Sequence, residues 1–73
     1  MSYKAINGID VTPGVHRMVL STSRISRVKF VDTMNEYHID YEILYRKDGT
    51  GKPFVMNGLN VPKYGSYIEY KIF

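Results

Sequence analysis

Polar and apolar side chains alternate along the segment Tyr37-His38-Ile39-Asp40-Tyr41-Glu42-Ile43-Leu44-Tyr45-Arg46. Successive side chains of a β-strand point to opposite faces of its sheet. One face of this segment would therefore carry the Tyr and Ile residues, and the other would carry the polar residues, with Leu44 as its only apolar member. The pattern predicts a half-buried strand over residues 37–46.

A helix that begins at Thr33 is the alternative for the same region. Thr33 and Glu36 have the spacing of a capping box. Residues at roughly helical intervals also follow this start, namely Met34, Tyr37, Tyr41 and Leu44. The β-branched and aromatic residues of the segment nevertheless favour the strand, because such side chains are enriched in sheets.

Other short runs rich in Val, Ile, Tyr and Phe lie between turns that contain glycine. They predict further strands near residues 3–6, 15–20, 25–31, 53–56 and 67–73. A chain of 73 residues has room for one domain, which we expect to comprise residues 1–73. The expected fold class is mainly β, with five to six antiparallel strands in a barrel-like or strongly curved sheet and little or no helix.

The dipeptide Asn57-Gly58 predicts a tight hairpin, since Asn and Gly tolerate the positive φ angles of a two-residue turn. Pro62 follows the second arm and lacks the N–H that a central strand must donate. We therefore expect this hairpin at an edge of the sheet or folded over its end.

A second hairpin is predicted within residues 15–31, with Thr22-Ser23 at its tip. In that register His16 lies opposite Lys29, and one side of the hairpin is cationic. Its cations form the candidate binding site for an anionic group such as phosphate: His16, Arg24, Arg27 and Lys29. The alternative is a solvated strand face, on which Lys and Arg serve to discourage pairing with other chains.

Charge is distributed unevenly along a chain whose formal net charge is +3. Residues 1–31 carry five cations and one carboxylate, whereas residues 32–46 carry one cation and four carboxylates. This polarity fits either a cationic surface that binds an anion or the pairing of two copies. The chain has no Cys, which excludes disulfides and Cys-based zinc sites, and no signal-peptide or membrane-spanning pattern, so we expect a cytoplasmic protein.

Patterns for catalysis and metal binding are weak. His38, Asp40 and Glu42 would share one face of the predicted strand, but no second cluster of ligands accompanies them. Residues 48–52, Asp-Gly-Thr-Gly-Lys, lack the glycine spacing of a phosphate-binding loop and are read as a hairpin loop. The serines lack the context of a catalytic nucleophile. We expect no enzymatic activity, no catalytic residues, no metal site and no cofactor.

The C-terminal residues 67–73 have strong strand character up to the last residue. Such a strand either completes the sheet of one subunit or offers an edge to another chain. Together with seven Tyr and three Phe in a small chain, this favours a homo-oligomer.

These patterns indicate a non-enzymatic small binding protein. Its ligand would be nucleic acid or a phosphorylated nucleotide-type molecule, bound at the basic hairpin or between subunits. In general look the chain is similar to the small single-domain proteins that phages encode to bind and disable host machinery or signalling molecules. The alternative is a protein–protein interaction module, an inhibitor of a host protein or an assembly subunit, that uses a surface rich in Tyr and Met.

Overall fold

The structure, a computed structural model, describes residues 4–20 and 23–73 and, within the helix, the side chains from residue 27 onward. Within these ranges, one helix and seven strands follow one another in the order β1 (Ala5–Ile6), β2 (Ile9–Asp10), β3 (Gly14–Leu20), α1 (Ser23–Glu36), β4 (Tyr41–Asp48), β5 (Phe54–Met56), β6 (Leu59–Val61) and β7 (Ser66–Ile72).

Antiparallel strands dominate the described residues, which confirms the mainly β class. They form a three-stranded sheet in the order β3-β7-β4 and two separate hairpins, β1-β2 and β5-β6. These sheets do not close into a barrel. The C-terminal strand β7 pairs with β3 on one side and with β4 on the other. It therefore completes the sheet within one chain, and the sheet edges belong to β3 and β4.

The turn between β5 and β6 confirms the predicted Asn-Gly hairpin. Asn57 and Gly58 have φ angles of 50° and 80°, which only Gly and a few polar residues adopt readily. Asn7 and Gly8 repeat this geometry between β1 and β2, with φ angles of 52° and 79°. Both turns depend on local backbone preferences, which explains why the dipeptides are reliable signals.

The strand predicted over residues 25–31 is wrong, because these residues belong to α1. The predicted hairpin with its tip at Thr22-Ser23 is therefore wrong as well, because Ser23 is the first residue of α1. Residue 22 of that tip and residue 3 of the first predicted strand lie outside the described part of the chain. Phe30 and Met34 are buried one helical turn apart. A short apolar run such as this one fits both the helical and the strand period, so its pattern does not distinguish the two. Packing against the sheet selects the helix.

The end of α1 determines where β4 begins. The backbone N–H of Ile39 donates to Met34 O at 2.9 Å, and the N–H of His38 donates to Asn35 O at 3.3 Å. His38 between them has a φ of 53°, so the helix ends in a Schellman motif. The predicted strand over 37–46 consequently begins only at Tyr41, and the alternative helix start at Thr33 lies near the end of α1 instead.

A β-bulge at Leu44 changes the faces of β4. Ile43 pairs with Tyr70, but Tyr45 already pairs with the next residue of β7, Glu69. The extra residue rotates the second half of the strand by one position. Tyr45 therefore faces the side opposite to Ile43, which corrects the single-face prediction for residues 37–45. The bulge also turns Arg46 towards α1.

The core lies between α1 and one face of the three-stranded sheet. Phe30 and Met34 of α1 pack with the buried residues Ile68, Tyr70 and Ile72 of β7. The β1-β2 hairpin adds apolar residues to the same cluster. Tyr67 points to the opposite face, where the tip of the β5-β6 hairpin contacts it. The helix in the described ranges has 14 residues, too few to span a membrane.

Candidate anion-binding site

Of the four residues of the predicted site, the three whose side chains are described are not brought to one face. His16 lies on β3, Arg27 and Lys29 lie on α1, and Arg24 lies in the first turn of α1 with its side chain outside the described part. Residues two apart on a helix point in different directions, unlike residues two apart on a strand. The predicted strand pairing that would have placed these residues on one face is absent. That they bind an anion stays a prediction.

His16 joins the β2–β3 connection to the sheet. Its Nε2 lies 2.6 Å from Thr12 O, which can only accept, so Nε2 carries a proton. Nδ1 lies 3.6 Å from a carboxylate oxygen of Asp10, and the ring packs on Tyr70 with centroids 5.4 Å apart. These contacts give His16 a structural role.

Asp10 is held in the same corner of the fold. Its Oδ1 accepts hydrogen bonds from the backbone N and the Oγ1 of Thr12, at 2.9 and 2.7 Å. These two bonds, together with the nearby charge of His16, lower the pKa of the Asp10 carboxyl. The backbone O of Asp10 accepts from the Tyr70 hydroxyl at 2.6 Å, and burial raises the pKa of Tyr70 to about 12.

Arg27 lies beside two residues of β4, Arg46 and Asp48, that the sequence patterns did not associate with it. Its Nη1 lies 3.0 Å from Asp48 Oδ2, and the Nη2 of Arg46 lies 3.4 Å from the same oxygen. Ser66 Oγ donates to the other carboxylate oxygen at 2.9 Å. This hydrogen bond from Ser66, followed by the bond and charge of Arg46 and the charge of Arg27, lowers the pKa of the Asp48 carboxyl.

An apolar cavity of about 80 Å³ opens beside this cluster, between α1 and β4. Arg27 and Arg46 line it together with apolar side chains from α1 and the sheet: Leu20, Phe30, Val31, Ile43 and Ile68. The side chains of Arg27 and Arg46 are 28% and 44% exposed, so solvent reaches both. We call this arrangement the paired-arginine cavity.

Lys29 lines a different cavity of about 210 Å³, near the β1-β2 turn. Leu20 and Phe30 contribute to both cavities and lie between them. Besides Lys29, the larger cavity has one polar side chain in the described part, Asn7, whose Nδ2 donates to Thr33 Oγ1 at 3.3 Å. Arg27 and Lys29 thus line two separate cavities. Among the described residues, two guanidinium groups line the smaller cavity and none lines the larger one.

The opposite face of the sheet holds a polar cluster around Glu69. Its Oε1 accepts from the Tyr67 hydroxyl at 2.5 Å, from Asn57 Nδ2 at 2.6 Å and from Arg17 Nε at 3.2 Å. The Tyr67 bond, together with Arg17 and Asn57, lowers the pKa of Glu69. Burial, together with the bond to Glu69, raises the pKa of Tyr67. The intramolecular partners of Glu69 identify this cluster as the contact that fastens the β5-β6 hairpin to the sheet.

Sequence reasoning missed Arg46 and Asp48, because the bulge at Leu44 and the helical state of α1 are both needed to bring them beside Arg27. The apolar Leu44 within an otherwise polar face was the available signal. His38 and Asp40 precede β4 and so do not share a strand with Glu42. In the described ranges no three His, Cys, Asp or Glu side chains form a metal-binding group.

The loop after β4 connects two different sheets, so residues 48–52 do not form the simple hairpin loop that was expected. Gly49 lies close to residues 62–65, and its N–H donates to Gly65 O at 2.6 Å. Comparison with models of protein families, with curated proteins and with solved structures found no match for this chain.

Proposed function

We propose that this chain is a non-enzymatic binding protein that holds a phosphate group of its ligand between Arg27 and Arg46. The ligand would be a nucleotide-type molecule or a nucleic-acid backbone. The observation that carries this proposal is the convergence of two guanidinium groups from α1 and β4 at the mouth of an apolar cavity.

Guanidinium groups suit this task because each is planar and can donate two parallel hydrogen bonds to a phosphate. The cluster contains two cations and one carboxylate, so its formal charge is +1. The bond from Ser66 and both arginines keep Asp48 ionised, and Asp48 in turn holds the two side chains near each other. The cavity of about 80 Å³ is too small for a base or a sugar, so these parts of the ligand would lie outside it.

Calorimetric titration with inorganic phosphate, mononucleotides, and short single-stranded DNA and RNA would test the proposal. We expect Arg27→Gln and Arg46→Gln each to weaken binding roughly tenfold or more, which is about 1.4 kcal/mol. Lys63→Gln removes the same charge from an exposed residue outside the cavity and is the matched control. Thermal unfolding should change little, because partly exposed ion pairs contribute about 0–1 kcal/mol.

The titrations also distinguish the ligand classes. A nucleic acid that contacts several phosphates loses affinity steeply as salt rises, and removing one phosphate contact lowers that slope by about one. A mononucleotide would show a shallow dependence. Failure of the unaltered protein to bind any of these probes, or an equal loss with Lys63→Gln, would contradict the proposal.

A protein–protein interaction module is the second candidate. The exposed apolar side chains Ile43, Leu44 and Tyr45 on an edge strand favour it. Leu44→Ser should then abolish partner binding and leave phosphate binding unchanged, whereas Arg46→Gln should do the reverse. Loss of phosphate binding in Leu44→Ser would remove the distinction between the two surfaces.

A further inference from the structure

β4 combines an open edge with apolar exposure. In the described part of the chain it pairs with β7 alone, so its other edge presents backbone N–H and C=O groups without a strand partner. The side chains of Ile43, Leu44 and Tyr45 are 41–47% exposed in the middle of this edge. Val31 of α1, 42% exposed, lines a cavity together with Ile43 and extends the apolar surface. Natural proteins usually protect such an edge.

The charges of β4 are complementary to those of a second β4 in the antiparallel direction. When two copies pair about a two-fold axis between Leu44 and Tyr45, Glu42 lies opposite the partner's Lys47, and this pair occurs twice. Cross-strand pairs of opposite charge stabilise antiparallel strands. In the described residues Glu42 forms no ion pair, although it lies opposite Lys71 of β7, and Lys47 contacts the Phe54 ring with its Nζ 4.6 Å from the centroid.

The bulge at Leu44 makes this register possible. Opposed residues of neighbouring strands must point to the same face of the sheet. Glu42 and Lys47 are five residues apart and would lie on opposite faces of a regular strand. The extra residue places both on the face of Tyr67 and Lys71, with which they pair in β7. The bulges of the two copies would face each other at the centre, leaving both outer halves of β4 in register.

The other edge of the sheet does not offer the same match. β3 carries Arg17 and His16 but no carboxylate, so pairing of two β3 strands would form no pair of opposite charges. Pairing of β3 with β4 of another copy would be heterologous and would build a ring or an open filament of molecules. β4 against β4 gives a closed pair.

We propose that two copies of this chain form a dimer through β4, with Glu42 opposite the partner's Lys47. The two three-stranded sheets then become one continuous sheet of six strands. The central apolar residues Leu44 and Tyr45 of both copies are covered in the same step. This proposal goes beyond the anion site and does not depend on it.

A charge exchange tests the proposal. Glu42→Lys alone and Lys47→Glu alone each place like charges opposite each other at two positions, and we expect either to raise the dimer dissociation constant roughly tenfold or more in sedimentation experiments. The double variant Glu42→Lys with Lys47→Glu restores opposite charges and should restore the dimer. The two residues are roughly 16 Å apart within one strand, so contacts within one chain cannot explain a rescue.

Val55→Lys is the control, because it adds a charge at an exposed residue of β5, opposite the uncharged Asn60, and should leave the dimer intact. Circular dichroism of each variant verifies that the fold is retained. A monomeric unaltered protein at high micromolar concentration overturns the proposal. Failure of the double variant to regain the dimer, when both single variants are folded monomers, overturns it as well.

Discussion

His38 ends α1 in the left-handed backbone conformation, with a φ of 53°. Its side chain is exposed and has no hydrogen bond among the described residues. An L-residue with a Cβ is strained in this conformation, whereas Gly adopts it readily, so the helix end depends on the backbone rather than on the imidazole. His38 therefore affects stability mainly through the backbone strain at its positive φ angle.

His38→Gly should raise the free energy of unfolding by about 0.5 to 1 kcal/mol, because the strain at the helix end outweighs the added entropy of Gly in the unfolded chain. Urea denaturation measures the change. His38→Val should shift stability in the opposite direction, since a β-branched residue is the least suited to positive φ. Equal effects of the two substitutions would contradict this account of the helix end.

Position 49 requires glycine because neighbouring backbone atoms leave no room for a Cβ, and not because of a positive φ angle. A Cβ at this position would lie 2.6 Å from Gly65 O and 3.0 Å from Lys63 O, both of them backbone atoms. Gly49→Ala should therefore lower the free energy of unfolding by about 1–3 kcal/mol. Thr50→Ala, in the same loop and exposed, should stay within about 0.5 kcal/mol of the unaltered protein in the same denaturation experiment.

Asn57 links the β5-β6 hairpin to β7 of the sheet by hydrogen bonds. Asn57 adopts the positive φ of the turn and also donates through Nδ2 to the Tyr67 hydroxyl and to Glu69, both at 2.6 Å. A hairpin of two three-residue strands is marginal by itself. Its position therefore depends on these hydrogen bonds with β7 and on the buried side chain of Val61.

Asn57→Ala should release this hairpin while the three-stranded sheet persists. We expect faster hydrogen exchange at the amides of residues 54–61 and a melting temperature lower by roughly 5 °C. Asn60→Ala changes an exposed residue of the same type in β6 and is the matched control. Uniform loss of protection across β3, β7 and β4 would show instead that the hairpin and the sheet unfold together.

The whole molecule is organised around β7, whose residues are mostly buried and pair on both sides. The last strand of the chain is thus the centre of the sheet, so β3 and β4 acquire their places only when the C-terminal residues are in position. Tyr70 sits in the middle of β7, and its ring contacts both Phe30 and His16. The protonation of this hydroxyl therefore affects the stability of the entire fold.

Tyr70 makes stability fall at alkaline pH. Burial, with the charge of Asp10, raises the pKa of Tyr70 from 10.0 to about 12. The neutral hydroxyl is favoured in the folded chain, so its contribution is fully present below pH 10 and is lost as pH rises through 12. The difference corresponds to roughly 2–3 kcal/mol.

Urea denaturation at several pH values between 9 and 12 measures this loss. Tyr70→Phe should be less stable at neutral pH and should lose less stability between about pH 10 and 12. A remaining decline is expected, because the pKa of Tyr67 is raised as well. The exposed Tyr64→Phe should keep the decline of the unaltered protein. An unchanged decline in Tyr70→Phe would contradict the assignment to Tyr70.

Local chemistry of the sequence determined the mainly β class, the turn at Asn57-Gly58 and strands close to β3, β5 and β7. Each depends on residues that are neighbours in the chain, such as the two turn residues whose φ angles Asn and Gly tolerate. The sequence did not indicate that β4 begins only at Tyr41, after the end of α1, because His38 is not a typical residue for a helix end.

Tertiary structure alone decided that residues 25–31 are helical, that β4 is bulged at Leu44 and that Arg27, Arg46 and Asp48 meet. The run around Phe30 satisfies both the helical and the strand period, and only the sheet against which it packs selects between them. The bulge depends on pairing with β7, more than twenty residues later in the chain. A site assembled from separate elements has no local sequence signature, since its geometry exists only after those elements have packed.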